Sequence, residues 1–319
     1  MGTKDNVSSE YMKQNRIFAD VFNYMFFQGE ERILSENLFE KDTVLIFNSL
    51  DKKDKIKINR MRDVLKCCIL KSDSHRDYLL LGIENQSDIN YAMPVRIMLY
   101  DALSYTIQVE QIAKDNKSMK KYNNNAEFIS GYLKEDKIKP VCTVVIYFGA
   151  KEWDAPRSLY EMLEVDDELK KFIPDFKINL IIPREIEDFS KFDTELGKVL
   201  QFLKCSEDKD ALKELMRNDS SYECLDGDAA KMIGAFTNVK IKVKGGMCNM
   251  CKAVEDMIKE ETEKVEKETT ERIQVETIIS MLKKEFTDEQ ILSVFEISAE
   301  QLEEIKEKQI LNNDGDVIG

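Results

Sequence analysis

The chain predicts an α/β fold with a mixed sheet and an α-helical C-terminal extension, and three features carry that expectation. Val64 to Leu70 and Tyr78 to Ile83 are short apolar runs separated by Ser72-Asp73-Ser74-His75, the pattern of a β-hairpin. Val141 to Phe148 is an unbroken β-branched and aromatic run, as expected of a strand covered on both faces. Met247 to Glu285 is rich in Glu, Lys and Thr with a thin line of apolar residues, which reads as one long helix that docks or pairs in a coiled coil.

Taken in order, residues 1–15 are polar and are expected to be loosely ordered. Apolar residues at 17, 18, 21, 22, 25 and 26 make a helical stripe over Ile17 to Phe27, with Asp20 on its polar side. Apolar segments at 33–39 and 44–46 lead into a lysine-rich stretch and then the hairpin. Met93 to Gln111 follows as a helix with Pro94 in its first turn, where a missing N–H costs little. Phe176 to Ile182, stopped by Pro183, reads as a further strand. Residues 192–202, 211–216 and 229–236 read as short helices. Gly245-Gly246 marks a boundary, giving units of 1–245 and 246–319. In the tail, Thr287…Gln290 and Ser298…Gln301 both carry the capping-box spacing, and predict helices over 288–295 and 299–307.

Composition narrows the function. With 319 residues the chain can bury a full core. No apolar stretch is long enough to cross a bilayer, and the first residues lack a secretory apolar core, so a cytoplasmic protein with no membrane partner is expected. The lone histidine, His75, leaves no convincing Ser-His-Asp or Cys-His arrangement, and no Walker A or GxGxxG sequence occurs. Seven scattered cysteines give no disulfide framework. Cys248-Asn249-Met250-Cys251 supplies two zinc ligands where a closed site needs four. The net charge of −14 argues against a surface covered in nucleic-acid contacts. Charge is uneven, however: residues 52–76 hold nine bases against three acids, and residues 252–308 hold 17 acids against nine bases. Residues 52–57 by themselves read equally as a solvated lysine-rich loop or as a DNA contact.

Chemistry concentrates at the hairpin. Antiparallel pairing brings Asp63, before the first strand, to the end of the hairpin where Glu84 and Gln86 close the second. Glu84 and Gln86 are two apart and share a face. Two carboxylates and a neutral oxygen make a site for a hard divalent cation such as Mg2+. Glu84 follows Leu79-Leu80-Leu81-Gly82-Ile83, so its carboxylate is expected to be buried and to need a cation or an ion pair, with Arg62 or Arg96 as partner. Arg96 and Tyr100, four apart on one helical face, can orient the acids, touch phosphate or hold the fold. Trp153 and Tyr147 read as packing residues.

The ordered series resembles a known family. Phe18-Ala19-Asp20-Val21-Phe22, Arg62-Asp63, Tyr78 through Ser87, Met93-Pro94-Val95-Arg96 with Tyr100, Pro140, Tyr147-Phe148-Gly149 and Trp153 together resemble the recombination-promoting nuclease (Rpn)/transposase family of the PD-(D/E)XK nuclease superfamily. The likeness spans roughly residues 15–190. It implies a restriction-endonuclease-like αβββαβ core. It also implies a metal-dependent DNA endonuclease, using Mg2+ or Mn2+ and linked to recombination or mobile elements. Asp63, Glu84 and the Asn85 carbonyl would hold the metal, with Asp20 as a further ligand or a helix-start acid. Asp63, Glu84 and Gln86 would be catalytic, and Arg62, Arg96 and Tyr100 would orient the acids or meet phosphate. Gln86 stands where the superfamily usually has lysine; it can orient water but brings no charge. Two other readings stay open: a catalytically inactive DNA-binding or protein-interaction member of the fold, and a structural or defence component that forms a homo-oligomer through its C-terminal helix. Acidic Glu300, Glu303, Glu304 and Glu307 disfavour DNA reading by the tail.

Overall fold

The computed structural model describes residues 3–40, 63–71, 76–149 and 151–314. Residues 44–46, the lysine-rich stretch through Arg62 and the turn holding His75 lie outside them. The described chain separates into two compact units, Met1–Val254 and Glu255–Gly319.

The first unit opens with helices α1 (Thr3–Lys13) and α2 (Asn15–Phe27), then strand β1 (Leu38–Glu40). The hairpin strands are β2 (Val64–Lys71) and β3 (Arg76–Gln86), followed by helices α3 (Met93–Met119) and α4 (Asn125–Ser130). Strand β4 (Val141–Tyr147), helix α5 (Asp167–Lys170) and strand β5 (Asn179–Ile181) complete the sheet, ordered β1-β2-β3-β4-β5. The first three strands pair antiparallel, and β4 and β5 add in parallel. This is a mixed α/β sheet, and the expected αβββαβ order is present within it.

Side-chain alternation divides the sheet into two faces. Glu84 and Gln86 lie on the face toward α3, and so do Val145 and Tyr147, their neighbours in register on β4. On this side Met93, Ile97 and Tyr100 of α3 pack with Val145, Tyr147, Trp153 and Ile178. The Tyr147 and Trp153 rings meet edge to face at 5.2 Å, as core residues. The opposite face carries α1 and α2. Helices α6 (Leu196–Cys205), α7 (Lys209–Asn218) and α8 (Gly227–Phe236) follow, the last after strand β6 (Leu225–Asp226), which pairs with β7 (Met247–Cys248). Phe18 and Phe22 of α2 are fully buried, each contributing about 2–3 kcal/mol through burial. Gln28 and Gly29 end α2 in the left-handed region, at φ 55° and 94°. A Cβ on Gly29 would lie 2.6 Å from the Lys191 carbonyl oxygen, so only glycine fits there.

Three sequence expectations change. Residues 3–13 are helical, not loose: Tyr11 and Met12 are buried, and α1 packs on α8. The strand expected over 176–182 shortens to Asn179–Ile181, because Phe176 and Ile178 bond instead to Leu159 and Arg157. Helix α3 runs eight residues past Gln111 and ends at Lys120, at φ 51°.

Helix α9 (Met250–Lys283) is the long helix expected from the sequence. In the second unit its last turns join α10 (Asp288–Val294) and α11 (Ala299–Asp314) around Ile278, Ile291 and Leu302. Both capping boxes form. Gln290 N donates to Thr287 Oγ1 while Thr287 N donates to Gln290 Oε1, and Gln301 and Ser298 exchange the same pair of bonds. Val265 and Ile273 stand exposed along α9. Among the described residues no helix is long and apolar enough to cross a membrane.

Candidate active site

The site is assembled by the end of the hairpin and the first turns of α3. Val64 pairs with Ile83, so Asp63, in the bend before β2, lies across from the Glu84-Asn85 edge of β3. Its carboxylate is fastened there: the Asn85 N–H donates to Asp63 Oδ2 at 2.8 Å. The donor in this bond is a main-chain group, so the tie left no mark in the pattern of residue types.

Glu84 is 1% exposed in the middle of the sheet face that meets α3. Its Oε1 receives the Arg96 Nη2 in a short ion pair and the Gln86 Nε2 at 3.3 Å. Gln86 Nε2 also donates to the Asn85 carbonyl at 2.9 Å. Arg96 in turn gives its Nε–H to the Tyr100 hydroxyl at 3.0 Å. One amide and one guanidinium therefore meet the same oxygen of a buried carboxylate. The ion pair that a buried Glu84 requires is made by Arg96; Arg62 lies outside the described residues. The Arg96 side chain is 28% exposed, so the pair is not sealed from solvent.

Electrostatics tie these groups into one cluster. Burial opposes the charge on Arg96, but Glu84, the Tyr100 hydroxyl and Asp63 together hold its guanidinium above the ordinary arginine value. Burial, then Glu84, push the Tyr100 phenol up, with Asp63 adding to the effect while Arg96 opposes it. Both acids thus act on the same two residues of α3.

Asp20 has a different place. It is 3% exposed, and its two oxygens accept from Asp193 N, Thr194 N and Thr194 Oγ1 at 2.5–3.0 Å. Burial raises its pKa, with those three hydrogen bonds working against the shift. Among the described residues no three Asp, Glu, His or Cys side chains gather around a point that could hold a metal, so Asp20 does not join Asp63 and Glu84. It fastens α2 to the start of α6.

What remains near the hairpin end is a set of hard oxygens: the Asp63 and Glu84 carboxylates and the Asn85 carbonyl. That donor chemistry fits Mg2+ or Mn2+ rather than a thiophilic ion. Cys248 and Cys251 are separately placed; Cys248 Sγ lies 3.8 Å from Met250 Sδ, and Cys251 Sγ lies 3.7 Å from the Met216 carbonyl oxygen.

A family model described as "Putative transposase, YhgA-like" matches residues 59–218, half of the chain. No curated protein and no solved structure matches. The matched span holds Asp63, Glu84, Gln86, Arg96 and Tyr100, and leaves out Asp20 and the helical tail. On that match the chain belongs to the family of YhgA-like transposase proteins.

Proposed function

We propose that the chain is a metal-dependent DNA endonuclease that hydrolyses phosphodiester bonds during recombination or mobile-element movement. The observation that supports this reading is that Asp63, tied to the Asn85 N–H, and Glu84, paired with Arg96, both act on the Arg96 guanidinium. Asp63, Glu84 and the Asn85 carbonyl would hold Mg2+ or Mn2+. When bound, the metal polarises the phosphate and lowers the pKa of the attacking water. The Asn85 N–H fixes Asp63, and Tyr100 fixes the guanidinium plane of Arg96. Gln86 offers its amide to orient water without adding charge. With part of its side chain in solvent, Arg96 can trade Glu84 for a phosphate oxygen.

Plasmid nicking with Mg2+ or Mn2+ tests this. Asp63→Ala and Glu84→Ala should each lower metal-dependent nicking by at least about a hundredfold. Equal slow nicking by all three proteins would defeat the proposal.

A second reading is a catalytically inactive DNA-binding or protein-interaction member of the same fold. It is favoured by Gln86 in the usual lysine position and by the ion pair that already neutralises Glu84. Gln86→Lys separates the two. An enzyme should gain about tenfold or more in nicking rate, equivalent to about 1.4 kcal/mol in the barrier. An inactive module would shift DNA in a gel and nick nothing in either form.

A further inference from the structure

An open cleft of about 880 Å³ is lined by helical and turn residues of the first unit. It lies between the α1–α2 junction, the 187–198 segment that leads into α6, and the turns at Asp219, Asp226 and Asp228. Its described lining holds seven carboxylates against two bases, Arg16 and Lys198. Asp188, Asp219 and Asp226 each use Oδ1 to receive a main-chain N–H two residues on, which holds these acids rigidly in their turns.

Acidity alone would only describe a surface. Tyr11 makes it more specific. This residue lines the cleft, is 3% exposed, and its hydroxyl makes no hydrogen bond among the described residues. Glu195, in the same lining, has a buried Oε2 that also makes none, while its Oε1 takes Lys198 Nζ at 3.4 Å. Burial, then Glu195, Asp226, Asp20 and Asp228, push the Tyr11 phenol far above its ordinary value and keep it neutral. A neutral phenol can accept one N–H as well as donate its own O–H, and the Glu195 Oε2 can only accept, so positively charged N–H donors suit the pair. Anions are repelled by the lining. A single metal ion is poorly served, because among the described residues no three acids gather at one point. Carboxylates spread along a cleft suit an extended ligand with several N–H groups.

We propose that this cleft binds an organic ammonium or guanidinium cation, with Glu195 Oε2 and the Tyr11 hydroxyl receiving its N–H groups. The site is separate from Asp63 and Glu84 and stands whether or not the chain cleaves DNA. Lysine or arginine side chains of a peptide and a free polyamine share this chemistry.

Isothermal titration calorimetry on the full chain at low salt distinguishes them, with spermidine, acetyl-Arg-Lys-Arg-amide and Mg2+ as probes. Wild type should bind one organic probe more tightly than Mg2+, and the tighter of the two identifies the source. Tyr11→Phe keeps the ring and removes only the unbonded hydroxyl; Glu195→Gln keeps the shape and removes the charge. Each should weaken that probe about fivefold or more, as loss of a charge-assisted hydrogen bond would. Glu289→Gln, on the exposed surface of α10, should leave it unchanged. Absence of wild-type binding, or equal affinity in wild type and both cleft variants with unchanged circular dichroism, would overturn the proposal.

Discussion

Glu84 and Asp20 are both carboxylates withdrawn from solvent, at 1% and 3% exposure, yet they are held by different means. Glu84 faces a guanidinium from another element, a mobile charge on a long side chain. Asp20 faces two main-chain N–H groups and a threonine hydroxyl, all fixed by the path of residues 193–194. A charge partner can be exchanged for another cation or for a phosphate; a main-chain partner cannot leave without breaking the turn. The first arrangement is suited to chemistry and the second to architecture.

The sharpest way to break this comparison is to remove the charge beside Glu84. Arg96→Ala should cost about 3 kcal/mol in urea denaturation, since it leaves a buried carboxylate without its cation. A loss under about 1 kcal/mol would show that Glu84 does not depend on Arg96. Asp20→Ala strands three donors of the α6 approach and should cost about 2 kcal/mol. Nicking by the folded variant should match wild type; loss of nicking in a fully folded Asp20→Ala protein would return Asp20 to the metal site.

The smallest effect concerns pH. The Asp20 pKa is raised on folding, so its contribution is full below the ordinary aspartate value and fades as pH climbs through the higher folded one. The stability of wild type relative to Asp20→Asn should therefore fall as pH rises through and above the ordinary aspartate range. A difference that grows with pH would mean that the three hydrogen bonds outweigh burial.

Much of this was legible in the chain because it is local. The hairpin follows from two apolar runs and a polar turn, and the pairing of Asp63 with the Glu84 edge follows from antiparallel geometry. Both capping boxes in the tail obey a four-residue rule and form as written. What escaped depends on partners far away in sequence. Tyr11 and Met12 are two large residues in a polar stretch, and α1 packs on β2 and β3 and, more than 200 positions later, on α8. Asp20 reads identically as a ligand or a helix-start acid, because its three donors sit 173 and 174 residues downstream. The fifth strand is short since residues 176 and 178 found closer partners at 159 and 157. Tyr11 and Glu195 show nothing in sequence that marks a shared cleft.

Lys66 has a consequence of its own. It is wholly buried in β2, with its Nζ bonded to the Lys13 carbonyl and the Asn15 side chain, and burial lowers its pKa. The ammonium is therefore the cap that closes the end of α1. Deleting the first fifteen residues would take both hydrogen-bond acceptors from that cation, in the strand that follows Asp63. The opening helix is thus part of what holds β2, and removing it would unsettle the sheet that carries Glu84.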